Sequence, residues 1–221
     1  MLNPTDRRGV YGFLGKAIKW PVKRFIPPAI RARILPAHSV SISDATWNQA
    51  YGSGTWDYLG TTQEIARYSV IAGYCKHLKP AARVLDVGCG AGVLASWLSG
   101  ASISSYFGID LSEVAIEQAR QANIDGAEFA VADAATFEPS QIFDVIVFNE
   151  MLYYLEEPEE QVRRLARCLA PGGLLIVSIW YHDDGIRTWN RLKAAFDELD
   201  RVRITHASTR FKWDVAVLKL R

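Results

Sequence analysis

Arg83-Val84-Leu85-Asp86-Val87-Gly88-Cys89-Gly90-Ala91-Gly92 is an apolar, β-branched run that enters a glycine-rich turn and opens into a helical pattern. In an open parallel sheet such a turn sits at the carboxyl edge of its strand, where ligands bind. Glycine is needed there, because a Cβ would hold a ligand away from the backbone and resist positive φ. Downstream, short apolar runs alternate with helical patterns, which is how a parallel sheet covered by crossover helices reads. The expected strands are residues 83–87, 106–110, 127–131, 143–149 and 174–180. Expected helices cover residues 61–78, 92–98, 112–122 and 186–199, and one begins at Pro158 and is stopped by Pro171-Gly172-Gly173. Two alternating runs, 202–207 and 213–220, flank a turn and predict an antiparallel hairpin.

The chain has 221 residues, 49% of them hydrophobic, enough for one well-buried core and too few for two full domains. The expected division is a basic arm and aromatic segment over residues 1–59 and an α/β domain over 60–221. Twenty-five basic residues nearly balance 24 acidic ones, so the overall field makes no case for nucleic acid. The distribution is uneven. Residues 1–40 hold eight Lys and Arg against Asp6 alone, a net +7 that leaves −6 for the remainder. Three scattered cysteines imply neither a disulfide framework nor a metal site and suit a reducing, cytoplasmic setting. No apolar run is long enough to span a bilayer.

Two ligand types use a glycine turn of this kind. Gly90-Ala91-Gly92-Val93-Leu94-Ala95 fits the dinucleotide pattern G-x-G-x-x-G/A, so a nicotinamide-dependent oxidoreductase is one reading. Asp110, at the end of the second strand, would bind ribose hydroxyls under either reading. Asp86 discriminates: a carboxylate at the loop entrance repels pyrophosphate and attracts the ammonium of a methionine moiety. Asp133 ends the third strand and can accept from an adenine amine, while the next backbone N–H, at Ala134, serves the ring. As given, the chain ends one hairpin after the fifth strand, an expectation that leaves no substrate domain for a typical dehydrogenase.

The segment resembles motif I of class I S-adenosylmethionine-dependent methyltransferases. It is followed in family order by Gly108-Ile109-Asp110-Leu111-Ser112, Ala132-Asp133-Ala134, Phe143 through Glu150 and Leu169-Ala170-Pro171-Gly172-Gly173. The resemblance covers roughly residues 60–220. It implies a Rossmann-like α/β sheet of order 3-2-1-4-5-7-6, with strand 7 antiparallel and helices on both faces. It further implies that Gly88 and Gly90 approach the methionine end of S-adenosylmethionine, Asp110 holds the ribose and Leu111 flanks the adenine. Asp133 and Ala134 would read the adenine edge, with Asn149 beside the methionine portion. Residues 149–155 are similar to small-molecule and glycan methyltransferases, including nodulation-factor N-methyltransferases. Many relatives carry His where Tyr154 stands, so a base at that position is absent here.

The expected function is methyl transfer to a hydroxyl of a small molecule or glycan precursor, with N-methylation of an amino sugar or small amine as the alternative. Donor binding without turnover is a further one. Positioning supplies roughly 7–11 kcal/mol of such a barrier and a general base about 3–5 kcal/mol. His182, after the fifth strand, is the first candidate base, with a surface-loop histidine as the competing reading. Glu150, Tyr153 and Tyr154 follow the fourth strand and are candidates to orient an acceptor. Tyr51 and Trp56 read either as a lid over the donor or as an aromatic cluster pinning the N-terminal region. The arm interleaves Phe13, Leu14, Ile18 and Phe25 with Lys16, Lys19, Lys23 and Arg24. That pattern suits either peripheral contact with an anionic membrane or packing over the acceptor site.

Overall fold

The computed structural model describes residues 43–100, 103–207 and 211–221. The expectations for the basic arm, residues 1–42, lie outside the described residues. Seven strands form one sheet in the order β3-β2-β1-β4-β5-β7-β6. They are β1 (Ala82–Val87), β2 (Ile103–Asp110), β3 (Ala127–Val131), β4 (Phe143–Asn149), β5 (Leu169–Trp180), β6 (Asp197–Thr205) and β7 (Lys212–Lys219). The first five are parallel, and β7 runs antiparallel between β5 and β6. Among the described residues six α-helices accompany them: α1 (Asp44–Gly52), α2 (Ile65–Leu78), α3 (Val93–Leu98), α4 (Glu113–Gln121), α5 (Pro158–Leu165) and α6 (Asp183–Ala195).

The period of two along each strand sends successive side chains to opposite faces, and a separate core fills each face. Leu85, Ile146, Phe148 and Val177 pack with Val162 of α5 and Trp189 of α6. Val84, Val145 and Val147 pack with Ile71 of α2, Leu94 of α3 and Ile116 of α4. The helices therefore cover both faces, as a parallel sheet requires. Local signals set their ends. Ser112 caps α4 by accepting from Ala115 N, and Ser43 caps α1 by accepting from Thr46 N.

Two expectations about element ends need correction. The helix begun at Pro158 stops at Leu165, well before Pro171-Gly172-Gly173, and a 3-10 turn leads straight into β5. The proline-glycine triplet lies inside that strand, where pairing with β4 shifts register between Phe143 and Val145. The last helix ends at Ala195 and not near Leu199, which belongs to β6 and is exposed. On α2, Tyr68, Ile71, Ala72 and Cys75 are buried together with Arg67, while Ile65 is exposed.

The two lateral margins of the sheet differ. β6 is rich in charge, with Asp197, Glu198, Asp200, Arg201 and Arg203, and Arg203 pairs with Asp214 of β7 at 2.6 Å. β3 is only five residues long and, among the described residues, pairs with β2 alone. Among the described residues, no helix is long and apolar enough to cross a membrane.

Candidate active site

The glycine turn after β1 is pinned to the end of β2 by two donors, Gly88 N and Cys89 N, which share the Ile109 carbonyl at 2.8 and 2.9 Å. Gly88 and Gly90 have φ of 76° and 56°, left-handed values that disfavour any side chain. The space is also occupied. A Cβ on Gly88 would lie 3.0 Å from Met151 Cβ, and one on Gly90 would lie 2.5 Å from the Tyr51 hydroxyl oxygen.

Asp110 joins the turn to the next element. Its Oδ2 accepts from Gly90 N and its Oδ1 from Ser112 N, both at 2.9 Å. Burial pushes this carboxyl above the usual carboxylate range, and the backbone donors at Ser112 and Gly90 work against the rise. Asp133 Oδ1 accepts from Ala135 N at 2.8 Å, fixing the turn that ends β3. The Arg164 guanidinium donates to the Ala134 and Phe137 carbonyls and ties that turn to α5.

A cavity of about 480 Å³ lies over these strand ends. Gly88, Gly90, Asp110, Leu111, Asp133 and Ala134 line one part of it, and Asn149, Glu150, Tyr153 and Tyr154 another. All expected site residues are thus brought to one cavity except two. Asp86 is 1% exposed and does not line it. Strand alternation puts Asp86 on the face of Val84, beneath the turn, where Tyr106 Oη donates to its Oδ2 at 2.5 Å. Burial pushes its carboxyl up to about 7, and Oδ1 has no hydrogen-bond partner.

His182 is the second. It precedes α6, with its ring 4.9 Å from that of Tyr153 and 4.7 Å from that of Trp180. Burial pushes its imidazole down to about 4, so it is neutral at pH 7 and a weak base. The expectation that it faces the acceptor is corrected: it stands behind Tyr153 and does not line the cavity.

Glu150 has φ of 61°, a strained value for a side chain other than glycine, immediately after β4. Three donors hold its carboxylate: Ser178 Oγ at 2.8 Å, Trp180 N at 3.1 Å and Tyr153 Oη at 3.2 Å. The tyrosine hydroxyl is thereby oriented.

Sequence reasoning missed a charged group within this wall. Arg67 is 1% exposed, pairs with Glu64 at 2.9 Å and donates to Asn149 Oδ1. The spacing Glu64-x-x-Arg67 is the signal that would have found it, since i,i+3 places both on one helix face. Trp47 and Tyr58 line the cavity too, alongside the expected Tyr51 and Trp56. α1 is anchored to α4 by Asn48 Oδ1, which accepts from Ser112 Oγ at 2.7 Å. This anchor holds Tyr51 over Gly90. Among the described residues, no cluster of His, Cys, Asp and Glu is arranged to bind a metal ion.

Residues 61–212 match the family model described as a methyltransferase domain. The chain is 37% identical over 102 residues to a ubiquinone biosynthesis O-methyltransferase of Thiobacillus denitrificans, covering 43% of each protein. It is 33% identical over 135 residues to the corresponding protein of Albidiferax ferrireducens, covering 56% of this chain and 52% of that one. The matched stretch spans about half the length of these curated relatives or less. Among solved structures, the N-methyltransferase NodS of Bradyrhizobium japonicum WM9, in complex with S-adenosyl-L-homocysteine, superposes with a TM-score of 0.65 at 24% identity. That alignment covers 79% of this chain and 98% of NodS, and shows a shared fold. The strand order, the glycine turn with its flanking carboxylates and the family match agree: the chain belongs to the methyltransferase-domain family, in the S-adenosylmethionine-dependent class I group.

Proposed function

We propose that the chain moves the methyl group of S-adenosylmethionine to a hydroxyl of a small molecule or glycan precursor. The observation that carries this reading is the single cavity over the glycine turn, with Asp110 and Asp133 at one end and Glu150 and Tyr153 at the other. Its volume falls within the range of small-ligand sites, roughly 300–1,000 Å³. The donor fits the residues present: Gly88 and Gly90 keep the backbone open to it, and Asp110 and Asp133 offer acceptors at successive strand ends. Arg67 and Asn149 would face its amino-acid portion. Bound S-adenosylmethionine supplies a methyl group on a positively charged sulfur, which is electrophilic without further activation.

The protein's task is then to position an acceptor and exclude water. The aromatic segment of residues 47–58 covers the glycine turn and serves as the lid. Tyr153, oriented by Glu150 and backed by His182, offers a hydroxyl to the acceptor. The names of the curated relatives support oxygen as the methylated atom. Nitrogen remains the second reading, favoured by the position of His182 outside the cavity, because a neutral amine needs no base.

Two measurements test the proposal. Calorimetry should show binding of S-adenosylhomocysteine and none of NAD; the reverse would return the glycine turn to the dinucleotide reading. Incubation with methyl-labelled donor and matched panels of hydroxyl and amine acceptors, read by mass spectrometry, should then yield a labelled ether. Label confined to amines would transfer the assignment to nitrogen, and binding without any product would leave a donor-binding protein.

A further inference from the structure

Helix α1 lies as a bar across three neighbouring strand ends, those of β2, β1 and β4. At the junction of β2 and α4, Asn48 Oδ1 accepts from Ser112 Oγ at 2.7 Å and from Val114 N at 3.3 Å. Tyr51, on the next turn of α1, sets its hydroxyl over Gly90, beyond β1. Trp47 meets Tyr154, beyond β4, edge to face with ring centroids 5.0 Å apart. The bar is lightly built: α1 has nine residues, and none of them is fully buried. A short helix that adds nothing to the core opens locally at small free-energy cost. Among the described residues, its other polar tie to α4 is a long bond from Gln118 Nε2 to the Tyr51 carbonyl, at 3.5 Å. Ser112 connects the bar to the cavity. It is buried, its N donates to Asp110 Oδ1 at 2.9 Å, and its Oγ both caps α4 and donates to Asn48. The helix is therefore fastened to residues 110–112, the stretch that the proposed site uses for the ribose and adenine of the donor.

We infer that Asn48 is a positioning residue that latches α1 over the bound donor, so that uptake of the donor and release of its demethylated product both wait for this latch to open. Val114 N is one of the groups that the first turn of a helix leaves without an internal partner, and Asn48 supplies the acceptor. A neutral hydrogen bond of this kind favours closure by about threefold, and the pair by about tenfold. While α1 is latched, the Tyr51 hydroxyl stays against the glycine turn and covers a donor lying along Gly88 and Gly90. This inference rests on the donor reading proposed above and concerns the traffic of the donor, whichever acceptor is methylated.

The test uses the full chain and S-adenosylhomocysteine. Binding is measured by calorimetry, and its rates by stopped-flow fluorescence of the tryptophans, of which Trp47 and Trp56 line the cavity. Asn48→Leu keeps the bulk and removes the acceptor oxygen. It is expected to speed association and dissociation alike, each by about five- to tenfold, with Kd within about twofold of the wild type. Asn48→Asp keeps an acceptor oxygen and should bring both rates back to within about threefold of the wild type. A residue that merely capped α4 would lower thermal stability and leave both rates unchanged. That result, or faster dissociation with association unchanged, would overturn the inference while leaving the donor assignment standing. Hydrogen exchange on the wild type gives an independent reading should the leucine variant fail to fold. S-adenosylhomocysteine is expected to slow exchange of the α1 amides by at least about tenfold, and unchanged protection there would overturn the inference as well. Failure of S-adenosylhomocysteine to bind the wild type would overturn the donor reading too, and is read separately in the first titration.

Discussion

Asp86→Asn should stabilise the protein, and more so as the pH rises. The wild-type carboxyl is 1% exposed, takes one hydrogen bond from Tyr106 and leaves Oδ1 unpartnered. Burial raises it from 3.8 in the unfolded chain to about 7 in the fold. Because the folded value lies above the unfolded one, the native state favours the protonated acid. Its stabilising contribution is fully present below the unfolded value and is lost as pH rises through the folded one. Between pH 5 and pH 8 the linkage relation gives a loss of about 3 kcal/mol from this group. Asparagine keeps the shape and still accepts from Tyr106, but does not titrate. Urea unfolding of both proteins at pH 5, 6.5 and 8 should therefore show the advantage of the variant growing by about 3 kcal/mol over that span. A constant difference would refute the account of Asp86 as a carboxylate forced to ionise without adequate partners. Calorimetry on the same variant has the opposite sign: if the charge at residue 86 attracts the ammonium of the donor, affinity for S-adenosylhomocysteine falls at pH 8 and hardly changes at pH 5.

Other substitutions probe the rest of the site. His182→Phe removes a group whose folded value, about 4, lies below its unfolded value of 6.5. The wild type loses stability as pH falls through this interval, so the variant should regain about 2 kcal/mol at pH 5 relative to pH 7.5 while its turnover keeps the same pH profile. A collapsed alkaline rate would put the imidazole back in catalysis. Gly90→Ala strains a left-handed residue and drives a methyl group into the Tyr51 hydroxyl; a loss of about 1–2 kcal/mol in stability and at least tenfold weaker donor-product binding are expected from melts and calorimetry. Arg67→Met alone leaves Glu64 buried beside an apolar chain and should cost about 3–5 kcal/mol, whereas the double variant Glu64→Leu, Arg67→Met should cost less. Additive losses in that cycle would show that the two residues do not act as a pair.

The glycine-turn side of the cavity was legible because its requirements are local. A glycine turn after a buried strand, and carboxylates at the ends of the next two strands, are written in contiguous residues, and they arrive at one cavity through strand register alone. The opposite side, around Asn149 and Glu150, depends on contacts between distant segments. Nothing near Arg67 in sequence announces that Asn149, 82 positions later, receives its guanidinium. His182 was misread because a loop position after β5 says which edge the residue occupies but not that Tyr153 stands in front of it. Asp86 was assigned to the ligand by proximity to the turn, while the period of two sends its side chain to the face of Val84. At Leu199 the stretch Asp197-Glu198-Leu199-Asp200 has no alternation, so propensity favoured more helix and pairing with β7 decided otherwise.

The unequal margins of the sheet bear on how the protein fails when stressed. A strand margin that displays unpaired N–H and C=O groups is a template on which other chains can grow fibrils. Along β6 the density of charge of both signs opposes such recruitment, since an incoming strand would have to strip water from five ionised side chains. β3 lacks that defence: its sequence, Ala-Glu-Phe-Ala-Val, carries one charge, and Val131 is 47% exposed. Brevity is its main safeguard, and lengthening or further greasing this strand is where engineering would favour aggregation.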